Sequence, residues 1–174
     1  MPRPLPAAEP AIRRAVAGEE RLLWEVFHAS VHTLAKAHYT REQLEAWAPD
    51  AYPGETWVAR VRKNRPYVAL LGGIPVGFAD VQASGYIDQF FVAGAASGRG
   101  IGTRLMQTLE RSARAERIPR LYSNVSLSAE PFFRKHGFIV ERRQEVSVNG
   151  VSLRNARMFR VLSPVDEPGS RTPG

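Results

Sequence analysis

The chain has 174 residues, 44% of them hydrophobic, and no cysteine, which fits one domain with its own core and excludes disulfides, thiolate metal sites and a cysteine acyl-enzyme. Its formal net charge of +7 is scattered, with no run of five or six basic residues, which argues against nucleic acid and suits a small polyanionic ligand. No apolar run approaches the roughly 18 to 20 residues of a membrane span, and residues 1–10 offer no signal peptide, so a cytoplasmic protein with no membrane partner is expected.

Proline-rich residues 1–10 and the Pro, Gly, Ser and charge mixture of 163–174 read as loose tails around a domain of residues 11–162. Residues 11–15 suggest a first strand. After Gly18, Leu23, Phe27, Ser30 or Val31, and Leu34 recur at helical spacing and predict an amphipathic helix. Thr40 followed three residues later by Gln43 is a capping-box pattern, opening a short helix through Leu44 and Trp47 that Pro49 stops. A further helix is expected near 55–62. Residues 67–71 and 76–81 flank Gly72-Gly73 as a hairpin, and 86–92 reads as the next strand. A helix then opens near Gly100 with Ile101, Leu105, Leu109 and Ala113 on one face, and Pro119 ends it. Strand 121–126, helix 128–136 and a hairpin of 138–146 and 151–161 around Asn149-Gly150 complete the chain. This order predicts an α/β (α+β) domain: a mixed, mostly antiparallel central sheet of six to seven strands flanked by helices.

The chemistry concentrates in residues 86–105. There a strand runs into a loop carrying Gly98, Gly100 and Gly102, and a helix follows at once. The glycines allow successive N–H groups to point outward, and the first amides of a helix lack internal partners at the positive end of its dipole, so the main chain alone can cradle a pyrophosphate, with Arg99 adding charge. The Gly-Lys-Ser/Thr of a P-loop is absent, and Thr103 stands where a dinucleotide fingerprint needs its third glycine. On spacing alone, a plain turn opening a helix stays open as an equal reading.

Two motifs in order carry more. Ser97-Gly98-Arg99-Gly100-Ile101-Gly102 follows Phe90-Phe91-Val92, and about 25 residues on, Asn124 precedes the segment from Ser128 to Gly137-Phe138. Together they resemble the GCN5-related N-acetyltransferase (GNAT) superfamily, over roughly residues 11–162. The resemblance implies an acyltransferase that passes an acetyl group from acetyl-CoA directly to an amine of a small molecule or peptide. It implies that strand 86–92 splays from strand 121–126 to admit the pantetheine arm, that main-chain groups of Phe91 and Val92 bond it or polarise the acetyl carbonyl, and that amides from Gly98 through Ile101 and Gly102 to Thr103 hold the pyrophosphate. Asn124, Phe132 and Phe133 would line the other wall. A homodimer is an assembly that many relatives adopt.

This chain departs from the pattern twice. Ser97 replaces the usual Gln or Arg, removing a side-chain contact, and Phe133 replaces the Tyr that in many members protonates the departing thiolate. A thiol of pKa near 8.5 is a tolerable leaving group, so the expectation is either that no acid is needed at this site or that Tyr122, Ser126, Ser128 or water serves. The same departure keeps a non-catalytic acyl-CoA-binding sensor or partner subunit as the alternative.

An amine attacks only when unprotonated, so a base is needed. The resemblance places it near Asp88 or Tyr86, which lie two apart on one strand and share a face; Asp88 as an exposed strand residue or an arginine partner is an equal reading. Tyr39 and Trp47, in the helical region where the family builds its acceptor pocket, are the candidate substrate contacts. His28 and His32 have the i, i+4 spacing of two metal ligands, but no acidic or third ligand stands beside them in the sequence, so a packed helix face and no metal are expected.

Overall fold

The structure, a computed structural model, describes Leu5 and residues 7–163. Much of the two expected tails, 1–4 and 6 at one end and 164–174 at the other, lies outside the described residues. Next to the first of these, Arg104 donates to the Pro10 carbonyl at 3.3 Å and to Glu9 at 2.8 Å.

The elements run β1 (Ala11–Arg14), α1 (Glu20–Leu34), α2 (Arg41–Trp47), α3 (Glu55–Asn64), β2 (Tyr67–Leu71), β3 (Ile74–Ala79), β4 (Tyr86–Ile87), β5 (Phe90–Val92), α4 (Ile101–Ala115), β6 (Arg120–Ser126), α5 (Glu130–Lys135), β7 (Ile139–Val148) and β8 (Val151–Val161). The mixed α/β architecture is as expected, but among the described residues the strands number eight and form two four-stranded sheets, in the orders β1-β2-β3-β5 and β4-β6-β8-β7. The extra strand arises because the segment expected to be continuous over 86–92 breaks after Ile87. Tyr86 and Ile87 pair parallel with Tyr122 and Ser123 of β6, whereas Phe90, Phe91 and Val92 pair antiparallel with Ala79, Phe78 and Gly77 of β3.

A buried side chain accounts for the break. Asp80, with no exposed surface, accepts the N–H of Asp88 at 3.1 Å and of Gln89 at 2.9 Å, so two successive amides turn to the same side where a regular strand would alternate them. From that point β5 and β6 diverge.

Helix packing follows the sequence period. Ile101, Leu105, Leu109 and Ala113 of α4 are all buried in one core, each Leu or Ile contributing on the order of 1.5–3 kcal/mol. On α1, Leu23, Phe27, Ser30 and Val31 are buried against the second core, which α2 and α3 share, but Leu34 ends the helix 40% exposed instead of facing inward. The capping box at Thr40 and Gln43 forms in both directions, and the Gln43 amide also donates to Ser152 of β8 at 3.0 Å. At the tip of the last hairpin Asn149 and Gly150 both take positive φ, 48° and 79°, as a type I′ turn requires.

Candidate active site

The divergence of β5 from β6 opens a cavity of about 640 Å³. One wall is the glycine loop, from Ser97 through Gly98 and Gly100 to Ile101, Gly102 and Thr103. Gly98 and Gly100 sit at φ +76° and +74°, where an L side chain is strained, and a Cβ at either would meet nothing within 4 Å, so the loop presents bare backbone to open space. Gly100 caps α4 in the left-handed conformation without a side-chain hydrogen bond, leaving the amides of Ile101, Gly102 and Thr103 outside the helical ladder. Gly102 serves packing instead: its Cβ would stand 3.0 Å from Phe132, so glycine lets α5 close on α4. Arg99 is exposed on the loop.

Main-chain polarity along β5 alternates. Asp80 N–H donates to Gln89 O at 3.1 Å and Ala93 N–H to Val76 O at 2.8 Å, so in an antiparallel ladder the groups of Phe91 are spent on β3 and those of Phe90 and Val92 face away from it. The backbone groups of Val92 and Phe90 therefore turn away from β3 toward the cavity, while those of Phe91, expected to share the contact with Val92, are engaged with β3. The opposite wall holds Phe132 and the buried Phe133, which packs edge-on against Phe90 with ring centroids 5.6 Å apart. Ser126 and Ser128 line the same cavity with their hydroxyls 3.0 Å apart; the Tyr122 hydroxyl instead lies 3.3 Å from Ser84. Lys135, the last residue of α5, adds a cation to this lining that the sequence reading missed, because only the docking of α5 on α4 brings it there.

A second cavity, about 510 Å³, lies toward the helices. Trp24, Phe27, Trp47 and Trp57 give it an aromatic wall, and Phe27 meets Phe91 edge-on at 4.7 Å between centroids. Tyr86, Asp88 and Asn124 enter from the sheet. Asn124, expected on the cofactor wall, thus lines this second cavity, accepting from Gln144 at 3.0 Å. Tyr39 lines this cavity too, but its hydroxyl is committed: it donates to the Arg154 carbonyl at 2.6 Å and accepts from Leu127 N–H at 3.0 Å. Trp47, Phe91 and Ser126 line both cavities, so the two meet there.

Beneath Asp88 lies a polar network. Arg60 grips the Asp88 carboxylate with two hydrogen bonds of 2.9 Å, and Asn64 donates to it at 2.6 Å. Burial pushes this carboxyl up, yet Arg60 and Asn64 outweigh burial and hold it below the ordinary range, so it is ionised at neutral pH. For Tyr86, burial together with the charge of Asp88 raises the phenol above its usual value. Asp80, also bonded by Gln82 at 2.8 Å, is pushed up to about 6 by burial. Among the described residues the buried Asn155 amide oxygen, behind the lining of the second cavity, has no hydrogen-bond donor.

The histidine pair has an acidic neighbour after all. The loop after α2 brings Asp50 to 2.8 Å from His28 Nε2, a juxtaposition with no signal in the local sequence.

A GNAT acetyltransferase domain model matches residues 35–158. The chain is 30% identical over 147 residues to the uncharacterised N-acetyltransferase YafP of Escherichia coli strain K12, covering 84% of this chain and 93% of that one. A solved GCN5-related N-acetyltransferase from Rhodopseudomonas palustris superposes with a TM-score of 0.85 at 34% identity, over 89% of this chain and 97% of that one. PaiA N-acetyltransferase from Thermoplasma acidophilum, solved with coenzyme A, shares the fold at a TM-score of 0.69 and 17% identity, over 88% and 99% of the two chains. No helix among the described residues is long and apolar enough to cross a membrane.

Proposed function

The chain belongs to the GCN5-related N-acetyltransferase superfamily, and we propose that it moves the acetyl group of acetyl-CoA directly to an amine of a small molecule or peptide seated in the second cavity. The observation that carries this reading is the meeting of the two cavities at Trp47, Phe91 and Ser126. One has a backbone anion cradle at its mouth, and the other holds a carboxylate among aromatic walls. A structural relative crystallised with coenzyme A supports the choice of ligand for the first.

The bare amides at Gly98 to Thr103, with Lys135 nearby, suit a pyrophosphate. The Phe90 and Val92 backbone then borders the pantetheine arm, and the Val92 N–H is placed to steady the developing oxyanion. An ammonium must shed one proton to become the attacking amine; the amine nitrogen then attacks the acetyl carbon, the C–S bond breaks, and a second proton leaves nitrogen while the thiolate gains one. Asp88 attracts the ammonium and accepts, through water, the proton it sheds. Tyr86 stays protonated beside it and orients that water. With Phe133 lacking a hydroxyl, Ser126 and Ser128 are the groups to hand a proton to sulfur.

Calorimetric titration with acetyl-CoA, followed by thiol-release assays over aliphatic amines, amino acids and peptides, tests the proposal. Saturable binding with thiol release for at least one amine class is expected. No heat of association overturns the cradle, and binding without release above background for any amine overturns the transferase reading in favour of a sensor.

A further inference from the structure

His28 and His32 stand one turn apart on α1 with their rings stacked, centroids 4.2 Å apart. The segment between α2 and α3 folds back across this face. Asp50 Oδ1 lies 2.8 Å from His28 Nε2, and His32 Nε2 lies 2.7 Å from the Ala48 carbonyl oxygen. Ligand atoms of His28, His32 and Asp50 all fall within 4.8 Å of one another. Nothing in the acetyl-transfer reading uses them.

Two imidazoles and a carboxylate are a donor set that zinc and its late first-row neighbours prefer. Bonds of about 2.0–2.2 Å put tetrahedral ligands roughly 3.3 Å apart, so the widest separation here, 4.8 Å, must close by about 1.5 Å. The Asp50 side chain is 82% exposed and free to make that movement. A carbonyl oxygen only accepts, so the Ala48 contact fixes the hydrogen of His32 on Nε2 and leaves the lone pair on Nδ1. Donating one ring N–H to a carbonyl while the other nitrogen binds is the habit of metal-bound histidine.

We propose that His28, His32 and Asp50 form a three-ligand site for a divalent transition ion, zinc being the best fit, with its fourth position open to water. The ion would clip the α2–α3 segment to α1. Pro49 and Pro53 of that segment line the second cavity, so occupancy also sets the stiffness of that wall. This proposal stands whether or not the chain transfers acetyl groups.

The test is titration of the untagged full-length chain with zinc chloride in a non-chelating buffer, read by calorimetry and by melting temperature. The wild type should take up one zinc per chain saturably and melt higher when loaded. Asp50→Asn and His32→Gln should each weaken uptake by roughly tenfold or more and lose the melting shift. Absence of stoichiometric uptake, or uptake unchanged in Asp50→Asn, overturns the proposal. The exposed Asp50 makes that variant decisive even where His32→Gln disturbs folding, which circular dichroism reports.

Discussion

Asp80→Asn separates two jobs of the buried carboxylate that opens the wedge. Asp80 has no exposed surface, and burial raises its pKa from 3.8 to about 6. A gap of about 2 units at 1.36 kcal/mol each is about 3 kcal/mol. The folded chain binds this proton more tightly than the unfolded one. The stabilising contribution is therefore fully present below pH 3.8 and is lost as pH rises through about 6. Asparagine does not titrate, so the wild type should lose about 3 kcal/mol relative to Asp80→Asn between about pH 3.5 and 7, mostly in the middle of that range. A separate offset, independent of pH, reports hydrogen bonding. The amide offers one oxygen where the carboxylate offers two to the N–H groups of Asp88 and Gln89, and a buried donor left alone costs about 1–3 kcal/mol. Urea unfolding of both proteins at unit steps from about pH 4 to 7, extrapolated linearly, measures slope and offset together. Parallel stability curves would refute the reasoning, since Asp80 would then titrate as it does in the unfolded chain.

Gly100→Ala places an L side chain at φ +74° in open space, so the fold should survive with about 1–2 kcal/mol of strain and the acetyl-CoA Kd should rise about tenfold by calorimetry; an unchanged Kd dissociates the loop from the cofactor. Gly102→Val drives a side chain into Phe132, 3.0 Å from the position of its Cβ, and is expected to weaken acetyl-CoA and lower the melting temperature together; normal binding would show that α5 yields freely. Arg60→Met removes the partner that holds the Asp88 carboxyl down, so the acidic limb of kcat/KM should move up by about one pH unit or more; a stationary limb identifies a different base.

What the sequence displays best is what depends on neighbours in sequence. The four-residue spacing of Ile101, Leu105, Leu109 and Ala113, the Thr40 and Gln43 box and the Asn149-Gly150 turn each specify a local geometry that packing only had to accept. The glycine loop belongs with these, because positive φ at Gly98 and Gly100 is a backbone demand. The break in the strand was hidden, since its agent is a carboxylate eight and nine residues upstream reaching amides across a hairpin. Likewise, no spacing announces that Asp50 returns to His28 over 22 residues, or that Asn124 turns to the second cavity while Ser126 reaches both.

The break also decides which side chain enters which cavity. In an unbroken strand, side chains alternate, so 87, 89 and 91 would share one face and 86, 88, 90 and 92 the other. Instead Tyr86 and Asp88 line the second cavity together with Phe91, while Ile87 belongs to the α4 core together with Phe90 and Val92. One residue of phase is lost at Asp88-Gln89, where Asp80 holds both amides. That slip puts Phe91 against Phe27 and Trp47, beside the second cavity, and Phe90 against Phe132 and Phe133, beside the first. It also leaves the backbone of Val92 turned away from β3 at the level where the cavities meet. A continuous ladder would exchange Phe90 and Phe91 and close the gap to β6, so a single buried carboxylate sets the opening and the identity of both walls.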